Sequence, residues 1–215
     1  MYQSVANRVA VDIHALQLPI SDEEVLGILI KKGFRCIDVD IIQEAQKCIG
    51  YAQYVLRAKM SQAPNIVDCS SFVKYLFGKK GMWLPRISIQ QRECGEVIDI
   101  QNILQGDLIF STGKYNWFDT DPADNVGHVC IVASRETVIH ASCLKGGVEE
   151  VSLLKYIQPN RFRGARRLVP NSTQLLTFEI PPSMEVETSD DLRWIILSEV
   201  AKIERVVERI FSCSL

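Results

Sequence analysis

Apolar residues recur at helical spacing in the first third of the chain and at strand-like spacing in the next. Val25, Leu26, Ile28, Leu29 and Ile30 follow Ser21-Asp22-Glu23-Glu24, a helix start with acidic first-turn residues, and the run closes near Gly33. Ile41, Ala45, Cys48, Ala52 and Val55 share one helical face and predict a second helix over residues 40–58. Pro64 and Asn65 interrupt; Asp68 can then N-cap the run Phe72, Val73, Leu76 and Phe77, which Gly78 closes. Beyond Gly81 residues 106–110, 126–133, 137–141 and 162–168 read as strands between turn residues. Pro181-Pro182 breaks the chain again before a helix over residues 189–211. Its stripe of Leu192, Ile195, Ile196, Val200, Ile203, Val207 and Ile210 packs either on its own domain or on a second copy as a homodimer. Helices in front and strands behind predict an α+β layered fold, not a wound βαβ sheet. The expected organisation is an N-terminal helical extension (1–38), a central domain (39–170) and a C-terminal extension with an amphipathic helix (171–215).

Composition narrows the function classes. The 215 residues carry a net charge of −2, with 47% hydrophobic and 23% charged residues, as in an ordinary globular protein. No basic block marks a nucleic-acid partner, and the cluster Arg161, Arg163, Arg166 and Arg167 suits the solvent face of an edge strand. No segment is long and apolar enough to span a bilayer, and the first residues lack a secretory h-region. Seven cysteines without Cys-x-x-Cys spacing argue against a disulfide framework or structural zinc, and for a reducing compartment. The expected location is the cytoplasm, with non-classical export or a removed signal as alternatives. The segment 112–125, rich in aromatic and acidic residues, has the make-up of a functional loop just upstream of His128.

The candidate chemistry is a thiol and two imidazoles. Cys69 falls at the first position of its helix, where unpaired amides and the helix dipole favour a thiolate. His128 and His140 lie on successive strands. In an antiparallel hairpin they share a face only if the connecting loop has an odd number of residues. A three-residue loop of Ser134, Arg135 and Glu136, with Ala133 opposite Thr137, meets that condition. A two-residue Arg135-Glu136 turn would separate them, and neither residue favours the positive φ such a turn demands. On a shared face His128 can take the proton of Cys69, while His140 holds the imidazole in the required tautomer. The Cys69 amide supplies an oxyanion donor, and acyl transfer runs through a thioester. Cys36, Cys48, Cys94 and Cys213 read as small hydrophobes, and His14 as structural or exposed. Cys130 and Cys143 lie near the histidines, but their spacing matches no zinc pattern, so no metal or cofactor is expected.

These motifs resemble the NlpC family of papain-like cysteine peptidases, known as cell-wall endopeptidases, over about residues 45–168. The resemblance rests on Asp68-Cys69-Ser70-Ser71-Phe72, then Leu84-Pro85-Arg86 with Ser88, Gln91 and Gly95. Gly106-Asp107-Leu108-Ile109-Phe110, Gly127-His128-Val129 and Ile139-His140-Ala141 follow in the family's order. It implies a papain-like sheet carrying a Cys69-His128-His140 triad. It further implies that Asp68 and Ser70 hold the free amine of a peptide stem, and that Tyr54, or Tyr51 in its place, assists the oxyanion site. The family's usual reaction cleaves the γ-D-glutamyl–diamino acid bond of peptidoglycan stems. Against the family pattern, Cys130 and Arg57 stand where glycine is common, and no wall-binding module precedes the domain. A non-catalytic binding module on the same shell, or an amidase acting on another molecule, is the alternative.

Overall fold

The computed structural model describes residues 1–113, 125–171 and 173–212. Residues 114–124 of the anticipated loop over 112–125 lie outside the described residues, as do Cys213 and the side chains of Val207 and Ile210. In chain order the first elements are β1 (Arg8–Asp12), α1 (Asp22–Lys31), β2 (Arg35–Ile37), α2 (Ile41–Lys47), β3 (Gln53–Tyr54), β4 (Ile66–Val67) and α3 (Cys69–Lys79). There follow α4 (Ser88–Gln91), β5 (Glu96–Val97), β6 (Leu108–Ser111), β7 (His128–Val132), β8 (Thr137–Ser142) and β9 (Gly147–Ser152). The last are β10 (Phe162–Arg167), β11 (Leu175–Glu179) and α5 (Ser189–Ser212). The chain divides into two compact units, one of residues 1–38, 80–83 and 173–215, the other of 39–79 and 84–172.

The second unit is an eight-stranded sheet in the order β4-β3-β9-β8-β7-β6-β10-β5. Every neighbouring pair is antiparallel except β3 and β4, which run parallel. Helix α3 lies against β7 and β8 and buries Phe72, Val73, Leu76 and Phe77 almost completely. Asp40 caps α2 as its position suggests, accepting from the amides of Ile42 and Gln43 at 2.9 and 3.0 Å. That helix stops at Lys47 instead of reaching Ala58. Gly50 takes a φ of +72°, and the chain turns into β3 with Ala52 buried and Val55 47% exposed. The helical spacing of those two residues is accidental. Strand β9 escapes the pattern because Glu149 and Glu150 interrupt its alternation. β10 is not an edge strand: the two-residue β5 covers it, and Arg167 forms a bidentate pair with buried Asp107 at 2.9 and 2.7 Å.

The first unit is a three-stranded antiparallel sheet, β1-β11-β2, with two helices. Helix α1 starts with a capping box in which Ser21 and Glu24 satisfy each other's amides. None of the three strands is legible as alternation; the three central residues of β1 are all buried. Val9, Val11, Val25, Leu29, Phe178, Leu192 and Ile196 form its core, so the first turns of the α5 stripe are used inside this unit. Ile203, further along, is exposed. Residues 80–83 belong here because Gly81, at φ +79°, brings its carbonyl to the Ala10 amide (2.9 Å), where a Cβ would meet the Val9 backbone at 2.7 Å. Among the described residues no helix is long and apolar enough to cross a membrane.

Candidate active site

The start of α3 is locked by its own side chains. Asp68 Oδ1 accepts from the Ser71 amide (2.8 Å), and Ser71 Oγ accepts from the Asp68 amide (2.8 Å), a reciprocal cap. Arg86 grips the same carboxylate with two nitrogens, at 3.1 Å to Oδ1 and 2.6 Å to Oδ2. It also donates to Ser70 Oγ (3.0 Å) and to the Ala58 carbonyl (2.6 Å). The buried Gln91 amide donates to the carbonyls of Ser70 (3.0 Å) and Pro85 (2.9 Å). Cys69 is thereby held at the helix start with its side chain buried, its sulfur against the amides of Ser70 and Val129. Val129 follows His128 on β7.

The histidines meet as the loop parity requires. β7 and β8 pair Ile131 with Ile139 and Val132 with Val138, and the Ala133 amide donates to the Thr137 carbonyl at 3.0 Å. The connecting loop is therefore Ser134, Arg135 and Glu136. His128 Nε2 lies 3.0 Å from His140 Nδ1, the rings perpendicular with centroids 4.9 Å apart. Behind them His140 Nε2 faces Tyr156 Oη at 2.9 Å and Glu149 Oε1 at 3.4 Å. Tyr156 also stacks on His128, 5.5 Å between centroids, and the Arg161 guanidinium lies 5.0 Å from the tyrosine ring centre. Pattern reading gives no site role to Glu149, Tyr156 or Arg161, and Arg86 enters only with the family motif. For Glu149 the missing step was β9 itself, whose register sets that residue directly across from His140.

Cys69, His128, His140, Asp68, Ser70 and Tyr54 all line one cavity of about 1070 Å³. Tyr51 is not on it and bonds instead to Asn65 Oδ1 at 2.7 Å. Arg57, on the cavity wall, holds a φ of +60°, the left-handed conformation that explains why glycine suits that position. Gly113 and Gly127 approach so closely that a Cβ on the former would sit 2.5 Å from the Gly127 carbonyl oxygen, which keeps the strand leading to His128 tight against its neighbour. Cys130 does not reach the cavity. Its thiol faces the Ile109 carbonyl at 3.6 Å within an apolar cluster that includes Val132, Val138 and Ala165. His14 is exposed on the other unit.

Burial in the cavity disfavours the charged forms of the thiol and of both imidazoles. Burial, and then the neighbouring Asp68 charge, push the Cys69 thiol up to about 12. The Val129 and Ser70 amides and Arg86 oppose this without reversing it. Burial thus outweighs the pull of the helix start toward the thiolate. Burial, then His140 and Arg161, bring His128 down to about 3 from its ordinary 6.5. Burial lowers His140 to about 4, with Glu149 and the Ala141 backbone pulling the other way. A neutral pair of this kind can exchange a proton when a substrate supplies the charge to stabilise it.

A helix presenting a cysteine to a histidine-bearing antiparallel sheet defines a papain-like α+β fold. The sequence profile of the NlpC/P60 family matches residues 48–167, and the chain belongs to that family. It is 35% identical over 106 residues to the gamma-DL-glutamyl hydrolase of Bacillus subtilis (strain 168), covering 49% of this chain and 23% of that protein. Against the probable endopeptidase NlpC of Escherichia coli (strain K12) it is 37% identical over 103 residues, 47% of this chain and 62% of the relative. An NlpC/P60 family protein from Bacillus cereus ATCC 10987 superposes with a TM-score of 0.50 at 25% identity, over 61% of this chain and 40% of that one. The chain thus spans less than two thirds of these relatives, which are named as hydrolases and endopeptidases.

Proposed function

We propose that this protein is a cysteine peptidase that hydrolyses peptide or isopeptide bonds in peptidoglycan stem peptides, of the γ-D-glutamyl–diamino acid type, through a thioester. The observation that carries this reading is the 3.0 Å contact between His128 Nε2 and His140 Nδ1 on the wall of the cavity that holds Cys69. With Nε2 occupied, Nδ1 is the nitrogen His128 has left for the thiol. It takes the Cys69 proton as the sulfur attacks the scissile carbonyl. His140 meanwhile accepts a hydrogen bond that strengthens as His128 becomes cationic. The Cys69 amide, without an intrahelical partner in the first turn, and the Tyr54 hydroxyl donate to the developing oxyanion. The imidazolium protonates the leaving amine, and water activated by the same nitrogen resolves the thioester.

Asp68 and Ser70 hold the amine of the stem. Arg86 takes one bond at each Asp68 oxygen, and Oδ2 keeps a lone pair for a substrate ammonium. The six described cysteines are all free thiols, which supports action in a reducing compartment on recycled wall fragments. The name of the gamma-DL-glutamyl hydrolase supports a γ-glutamyl bond as the target.

Release of fragments from purified muropeptides, followed by mass spectrometry, tests the proposal. Wild type is expected to release them, Cys69→Ala and His128→Ala to release none, and His140→Ala to keep a low residual rate, since orientation contributes less than proton transfer. Equal rates for wild type and Cys69→Ala would end the catalytic claim, and full activity of His140→Ala would remove that residue from the triad.

A further inference from the structure

We infer that Glu149 is a positioning residue that selects the working tautomer of both histidines, by placing an acceptor-only carboxylate at His140 Nε2. The inference rests on the proposed roles of Cys69, His128 and His140. For His128 Nδ1 to be a free base, the proton of that ring must sit on Nε2. Nε2–H then donates to His140 Nδ1, which must be a bare acceptor, so the proton of His140 must sit on its own Nε2. The two rings form one chain, so their tautomers change together and every role inverts when they do. In the inverted chain His140 Nδ1–H donates to His128 Nε2, and His128 turns an N–H toward the thiol. The base is lost.

What faces His140 Nε2 therefore decides the chemistry, and two groups do. Tyr156 Oη, at 2.9 Å from Nε2 and 3.4 Å from Nδ1, can donate or accept and is compatible with either tautomer. Glu149 Oε1, at 3.4 Å from Nε2, can only accept as a carboxylate, and its charge favours a proton on the nearer nitrogen. The register pairing His140 with Glu149 fixes this approach, and burial of the imidazole to 4% exposure keeps water from substituting. The other charged groups around the ring are Lys155 and Arg161, both cations that oppose its protonation. Glu149 is the one carboxylate that acts on it among the described residues. Tyr156 adds orientation, stacked on His128 while touching His140.

Nitrogen-15 NMR of histidine-labelled full-length protein reads the tautomers without substrate. Wild type is expected to carry both protons on Nε2. In Glu149→Ala the Tyr156 hydroxyl is left alone to donate, and a population with Nδ1–H appears at His140 and His128. The kcat on muropeptides then falls about tenfold or more with a KM within about threefold of wild type. Glu149→Asp, which keeps an acceptor-only carboxylate, is expected to retain more of the Nε2–H form and of the rate than Glu149→Gln, whose neutral amide can also donate. A wild-type His140 with its proton on Nδ1, or a Glu149→Ala protein with unchanged tautomers, would overturn the inference. If wild type turns over no muropeptide yet Glu149→Ala shows the tautomer shift, the substrate reading fails and the role of Glu149 stands.

Discussion

Asp68 carries three tasks with one carboxylate: it caps α3, anchors Arg86 and faces the cavity beside Cys69. A buried carboxylate is tolerated because Ser70, Ser71 and Arg86 donate to it. Tightness of the same kind sets the pH response of the two histidines. Both are held below their ordinary 6.5 by burial, so the unfolded chain binds more protons than the native one once the pH drops beneath that value. Stability is complete above pH 6.5. It falls on acidification toward about 4, the depressed value of His140, by up to about 1.4 kcal/mol per pH unit for each imidazole. Urea unfolding at pH 7.5 and pH 5 measures this, and His140→Gln is expected to lose less than wild type over the interval. An equal loss in both proteins would mean that His140 is not held neutral.

At the scale of elements, the hairpin β7–β8 and the helix α3 were readable because each has a strong local signature. Parity of the loop Ser134-Arg135-Glu136 places His128 and His140 on one face from sequence alone, and Asp68 announces the start of α3. Strands β1, β2, β9 and β11 were not readable. β1 is buried on both faces, and β9 sets two glutamates side by side, so neither shows the alternation of a half-buried strand. Missing β9 hid Glu149, and the role of Arg86 needed the fold to bring it back to Asp68. The α5 stripe was legible as packing but not in its partner. Since β11 is the middle strand of its sheet and Leu192 and Ile196 are fully buried, a version ending near Pro170 is expected to lose the first unit's core. Sedimentation and thermal melting of full-length and shortened protein check this. We propose that any self-association uses the exposed part of α5 near Ile203; a halved mass without a lost transition would make α5 purely an oligomer contact.

For the whole molecule, the cavity sets Arg57, Arg86 and Arg161 beside Asp68, both signs of charge that the proposed stem peptide would meet. All of the proposed chemistry lies within the unit of residues 39–79 and 84–172, with Cys69 brought by a helix and its imidazoles by the sheet. The most direct measurement is intact-protein mass spectrometry of an acid-quenched reaction with a γ-D-glutamyl stem peptide, followed by mapping of the modified residue. The account predicts a transient mass increase equal to the acyl half of the substrate, located on Cys69 and absent from Cys69→Ala. Turnover with no adduct at any quench time, or an adduct on a different cysteine, would contradict it.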